Sequence, residues 1–149
     1  MATKSLNVVT LSAPTEGINK AVNETFVMSQ SYTLTGNGGT PTVNLTWQYD
    51  GVDIPTSGSS GLVADLGVQN SATEATTYNR TITCKSAGNY VIRVKAVDVT
   101  IPVTKYSTNT PTVTVSGLPQ TYYQDVSGDI AFARQARKMV TKIVNRRKK

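Results

Sequence analysis

With 149 residues, the chain has room for one β-sandwich of about 100 residues and an appendage, and not for two such domains. It has no histidine and one cysteine, which rules out an intrachain disulfide and removes the commonest general base and metal ligand near neutral pH. The net charge of +6 is unevenly placed: residues 1–117 hold seven basic and seven acidic side chains, whereas eight basic and two acidic ones follow from Leu118 onward. The body is neutral and the whole excess belongs to the end of the chain.

Thr and Val dominate the body, whereas helix formers are sparse until the last twenty residues, so the expected fold class is all-β. A basic start followed by an apolar run is missing, as is any stretch of ~18 apolar residues, so neither a signal peptide nor a membrane-spanning helix is expected. A chain without disulfides is compatible with a reducing cytoplasm. Three Asn-x-Thr triplets, at Asn23, Asn44 and Asn79, read as ordinary strand residues.

Taken in order, residues 6–11 predict a first strand centred on Val8 and Val9, followed by a connection over residues 14–23. Phe26, Met28, Gln30, Tyr32 and Leu34 alternate with smaller residues in a long second strand that ends at Gly36-Asn37-Gly38-Gly39. That glycine run lacks the Lys-Ser/Thr of a phosphate loop and reads as a turn. Residues 43–49, around the sole tryptophan, Trp47, form a third strand ending in the Asp50-Gly51 turn. A mobile surface loop over residues 56–61 and a short edge strand within 62–68 are expected next. Period-two alternation then returns on both sides of Ser86-Ala87-Gly88, from Thr77 to Cys84 and from Tyr90 to Val97, and reads as a hairpin. Residues 99–110 read as a long connection, since Pro102 fits a strand only at an edge. Residues 111–116 form the last strand.

The run Ala87-Gly88-Asn89-Tyr90-Val91-Ile92-Arg93-Val94 resembles the start of strand F in immunoglobulin-like domains, and Trp47 resembles their core tryptophan on strand C. The resemblance covers roughly residues 6–117. It implies an antiparallel sandwich in which the hydroxyl of Tyr90 bonds back to nearby backbone as a tyrosine corner. The antibody-type cysteine two residues after that tyrosine is Ile92 here, and Cys84 lies on the preceding strand, where it reads as a small buried hydrophobe.

The expected organisation is therefore a sandwich over residues 1–117, a linker over 118–126 and a basic amphipathic α-helix over 127–149. Ser127 caps that helix, with Asp129 near its positive end. At 100° per residue, Phe132, Ala136, Met139, Val140 and Ile143 share an apolar arc with Ala133 and Val144. Arg134, Arg137, Lys138 and Lys142, then Arg146, Arg147, Lys148 and Lys149, supply the basic contacts. The pattern suits docking to a partner protein or to the sandwich itself, neutralisation of nucleic-acid phosphates, or an anionic membrane surface. Tyr122 and Tyr123 in the linker suit a protein interface or base stacking.

No catalytic constellation, cofactor or metal is expected. Asp50, Asp53, Asp65 and Asp98 are hard oxygen ligands near strand ends, but their spacing fits no calcium motif and they read as turn acids. Disulfide-free immunoglobulin-like modules rich in Thr and Asn, joined to a short docking element, resemble those on virion proteins of tailed bacteriophages. That resemblance implies a structural capsid or tail accessory protein, located on the virion and partnered by other shell or tail subunits. The rival readings are a nucleic-acid-binding protein using the basic tail, or an adhesion or carbohydrate-binding module using loops at residues 36–41, 50–61 and 99–109.

Overall fold

The computed structural model describes residues 2–117. Within them ten strands form two sheets: β1 (Ser5–Ala13), β2 (Ile18–Ala21), β3 (Thr25–Thr35), β4 (Val43–Tyr49), β5 (Val52–Asp53), β6 (Leu62–Ala64), β7 (Tyr78–Cys84), β8 (Gly88–Asp98), β9 (Val103–Tyr106) and β10 (Thr112–Ser116). One sheet has the order β1-β3-β7-β6, the other β2-β10-β8-β4-β5 with β9 also pairing β8. This is an all-β sandwich resembling immunoglobulin-like domains. The helix expected over 127–149 and the linker over 118–126 lie outside the described residues.

Alternation decides which side chains meet between the sheets. Met28, Tyr32, Leu45, Trp47, Ile82, Ile92 and Val94 all point into one core. With no disulfide available, hydrogen bonds cross it instead. Trp47 Nε1 donates to the carbonyl of Met28 at 3.1 Å, and Gln30 Nε2 donates to that of Thr46 at 2.8 Å. Tyr32 Oη donates to Ala72 at 2.7 Å. Each tie serves a buried polar group and fixes the sheets against each other.

Three expectations need correction. Residues 14–23 are not merely a connection: β2 pairs parallel to β10 along Ile18–Ala21. Four residues are too few to show a period, and this strand exists because β10 offers it an edge. The alternating runs around residues 86–88 do not form a hairpin, since β7 joins β3 and β6 whereas β8 joins β4 and β10. Period two reports that a strand is half buried and not which sheet it enters. Finally, residues 99–110 are not one long connection. A short turn holding Pro102 leads into β9, which pairs Val103 with Asp98 and Tyr106 with Lys95. Proline stands just before the strand, where it removes no ladder bond.

The Asp50-Gly51 turn is as expected, with φ of 50° and 80° and strands β4 and β5 on either side. The edge strand expected within 62–68 is shorter, Leu62–Ala64.

Candidate functional site

Tyr90 forms the corner that the sequence implies. Its hydroxyl donates to the carbonyl of Ser86 at 2.8 Å and lies 3.1 Å from Ser86 Oγ, while its ring stands edge-on to Tyr49 with centroids 5.4 Å apart. Gly88 precedes it for a steric reason: φ is 156°, and a Cβ there would stand 3.0 Å from the Tyr90 hydroxyl.

The four candidate calcium acids are dispersed, each on its own task. Asp50 accepts from the Val91 amide at 3.0 Å, and Asp65 from the Thr81 amide at 2.9 Å. The buried Asp98 accepts from Thr100 and Ile101, capping the turn before β9. Asp53 accepts from Gln48 Nε2 at 2.7 Å and faces Lys95 Nζ at 3.8 Å. Among the described residues, no three His, Cys, Asp or Glu side chains cluster as a metal site would need. Cys84 is fully buried, and desolvation pushes its thiol above the ordinary range, with Lys20 opposing.

Nor do the three loops proposed for ligands form one surface. Residues 36–41 and 99–101 lie at one end, where the Val99 amide donates to Thr42 and Thr42 donates to Thr100 Oγ1. The 50–61 loop lies at the other end, joined to the tyrosine corner through Gly61 and Ser86 Oγ.

Sequence reasoning missed Arg80. It occupies an inward position on β7 and is 4 % exposed, with its guanidinium 4.1 Å from the centre of the Trp47 ring. Its Nε donates to Gly67 at 2.9 Å and its Nη1 to Asn79 at 2.8 Å, with Gln69 Oε1 3.4 Å from Nη2. Among the described residues, no carboxylate touches it. Desolvation lowers its pKa from the usual arginine value, against a smaller opposing effect of Asp65. This cation brackets residues 67–69 against the side of the sandwich. There Leu45 and Gln69 exchange backbone hydrogen bonds of 2.8 and 2.9 Å. An arginine at an alternating apolar position was the one available signal.

Between this bracket and β5 lies a cleft of about 60 Å³ lined by Thr46, Trp47, Asp53, Ile54, Ala64 and residues 66–68. The Oγ1 of Thr46 is buried and has no hydrogen-bond partner among the described residues.

The proposed docking residues Phe132, Ala136, Met139, Val140 and Ile143 lie outside the described residues, as do the basic residues from Arg134 to Lys149. No helix among the described residues is long and apolar enough to cross a membrane.

The geometry thus defines a disulfide-free β-sandwich, antiparallel except for the β2–β10 pair, that resembles immunoglobulin-like domains. No family model matches the sequence, and no curated protein matches it. Among solved structures, it is similar to the PKD domain of an M14-like peptidase from a Thermoplasmatales archaeon, at 17 % identity and TM-score 0.49, over 76 % of this chain and 98 % of that one. It is also similar to domains 4 and 5 of the S-layer protein SbsC, at 18 % identity and TM-score 0.41, over 80 % of this chain and 55 % of that one. The titin domains z1z2 in complex with telethonin match at 18 % identity and TM-score 0.44, over 78 % of this chain and 50 % of that one. The chain covers about half the length of those last two.

Proposed function

We propose that the protein is a non-enzymatic structural component of a larger assembly, with the sandwich as its displayed body and the basic tail as its anchor. The observation that carries this reading is the division of charge: a neutral body, and an excess of +6 confined to residues 118–149. Supporting it, the four aspartates and the cysteine of the body are already engaged or buried. The four acids hold backbone amides or neighbouring side chains, and the sole thiol is buried and hard to ionise.

The assembly in this reading is a tailed-bacteriophage virion, on the resemblance stated above. Phe132, Ala136, Met139, Val140 and Ile143 dock on a neighbouring shell or tail subunit, and the surrounding Arg and Lys meet its acidic surface. Changing Met139 and Ile143 together to Asp should remove the protein from purified particles. Unchanged occupancy would sink the anchor assignment.

The basic tail also favours a second reading, contact with nucleic acid. Fluorescence anisotropy with duplex and single-stranded DNA across a salt series separates the two. Phosphate contact predicts log affinity falling linearly with log salt, by about 0.9 per phosphate neutralised on duplex DNA. The Gln variant of Arg146, Arg147, Lys148 and Lys149 should flatten that slope. No binding at low salt leaves protein docking.

A further inference from the structure

The turn after β3, Gly36-Asn37-Gly38-Gly39, fastens the start of the chain. Gly39 donates to the carbonyl of Ala2 at 2.9 Å and accepts from the Lys4 amide at 2.8 Å, so Thr3 and Gly39 form a parallel bridge just ahead of β1. β1 is an edge strand of its sheet, and this bridge holds the residues that lead into it. The approach is close enough to dictate the residue at 38. Gly38 has φ of 115°, and a Cβ there would overlap the Ala2 carbonyl, so the position admits only glycine.

That demand leaves Asn37 open to attack by its own backbone. The amide nitrogen that follows an asparagine is a nucleophile toward the side-chain carbonyl carbon, and a side chain on the following residue slows the attack by crowding it. Gly38 has none. Asn37 is exposed, and the Gly38 amide donates to no group among the described residues, so neither burial nor a hydrogen bond withholds the nitrogen. Asn70-Ser71 shows the opposite arrangement. Asn70 is also exposed and also precedes a small residue, but the Ser71 amide donates to Asn44 Oδ1 at 3.0 Å, which occupies the nitrogen that would attack.

We propose that Asn37 converts itself to aspartate and isoaspartate, and that the isoaspartate product unfastens residues 2–4 from the turn. The Gly38 nitrogen loses its proton to hydroxide and bonds to Cγ of Asn37. The Cγ–Nδ2 bond breaks, Nδ2 leaves as ammonia, and a succinimide closes. Water then opens the ring at either carbonyl. Cleavage of the new Cγ–N bond gives aspartate. Cleavage of the original peptide bond gives isoaspartate, whose backbone runs through Cβ and Cγ and is one methylene longer. The added length falls two residues before Gly39, so Gly39 no longer meets Ala2 and Lys4 in register, and the edge strand loses its fastening as the protein ages. The reaction belongs to the body and stands apart from the tail anchor, so either proposal can fail alone.

The test is incubation of the full chain in mildly alkaline buffer, followed by peptide mass mapping. Acetyl-Thr-Gly-Asn-Gly-Gly-Thr-amide and acetyl-Gln-Asn-Ser-Ala-amide supply the two asparagines without the fold. Asn37 should gain one dalton at a rate within tenfold of its peptide and proportional to hydroxide, whereas Asn70 should lag its own peptide by more than tenfold. Asn37→Gln should abolish the gain, because ring closure from the longer side chain is slow. Ion exchange separates the modified chain, which carries one more negative charge. Hydrogen exchange on its isoaspartate fraction should show the Lys4 and Gly39 amides losing at least tenfold in protection. Freshly prepared Asn37→Asp adds the same charge without lengthening the backbone and should keep that protection. Modification of Asn37 more than tenfold slower than in its peptide, or Asn70 keeping pace with its own, would overturn the self-conversion. Unchanged protection in the isoaspartate fraction, or equal loss in Asn37→Asp, would overturn the release.

Discussion

Tyr90 and Arg80 both lay a long side chain against the core and direct its polar end to backbone carbonyls. Tyr90 does so within its own turn, reaching Ser86 four residues back, and its neutral hydroxyl leaves no charge in the interior. Arg80 reaches thirteen residues back to Gly67 and carries its charge into a place where no carboxylate among the described residues touches it. The corner is a local device whose parts are adjacent in sequence. The bracket is a tertiary device, stable because the Trp47 face and three oxygen acceptors replace water around the guanidinium. A short tie closes one turn, whereas the long one fixes a wall of the cleft.

The largest effect should come from removing the surface on which the bracket lies. Trp47→Ala should destabilise by about 4 kcal/mol in denaturant unfolding, combining a core cavity with loss of the stacked cation. Arg80→Ala should follow at about 3 kcal/mol, because it strands the Gly67 carbonyl as well as removing packing. Arg80→Met, which keeps the apolar stem, should lose roughly half of that. A double-mutant cycle on Trp47 and Arg80 should return a coupling of about 1–2 kcal/mol, and additivity would show that the stacking contributes nothing. Tyr90→Phe, a deletion confined to one local hydrogen bond, should cost only about 1 kcal/mol. Thr46→Val should have the opposite sign and stabilise by up to about 1 kcal/mol, since it removes a hydroxyl that is buried and unpartnered.

The pH dependence sharpens the comparison, because the neutral core groups and the buried cation respond differently. Burial raises the pKa of Tyr32, reinforced by Tyr78, Glu74 and Asp98, and desolvation raises that of Cys84. Both groups hold their protons more tightly when folded, so their contribution is complete below the unfolded pKa values. It is lost as pH rises beyond about 9, where the unfolded thiol ionises first. Arg80, whose pKa desolvation lowers from the usual arginine value, departs in the opposite direction. Urea midpoints should be flat with respect to these two groups up to that pH and fall above it. Cys84→Ser should remove the first part of the decline, and Cys84 should react with a thiol reagent only through opening of the fold.

Strands rich in inward aliphatics were legible because burial on one face forces period two. β3, β4, β7, β8 and β10 were all readable in outline from that pattern, and Tyr90 and Asp50-Gly51 from local turn chemistry. β2 and β9 were not. The first is four residues long, and the second has all four side chains exposed, so neither carries a hydrophobic alternation. Their existence depends on edges that β10 and β8 present. The cleft was hidden for a related reason: its walls come from residues 46–68 and its brace from Arg80, and nothing in the spacing of those residues links them.

By itself, then, the sequence determined the all-β class, the period of each long strand, the tyrosine corner, the absence of a disulfide and the division between neutral body and basic end. Each follows from chemistry between neighbours or from a count. Tertiary structure alone decided that the strands around residues 86–88 enter different sheets, that edges recruit β2 and β9, and that Asp50, Asp53, Asp65 and Asp98 serve separate turns and strands. It also set Arg80 over Trp47 beside an unpartnered Thr46. Hydrogen-bonding edges and desolvation act between residues far apart in the chain, and only folding brings those residues within reach of one another.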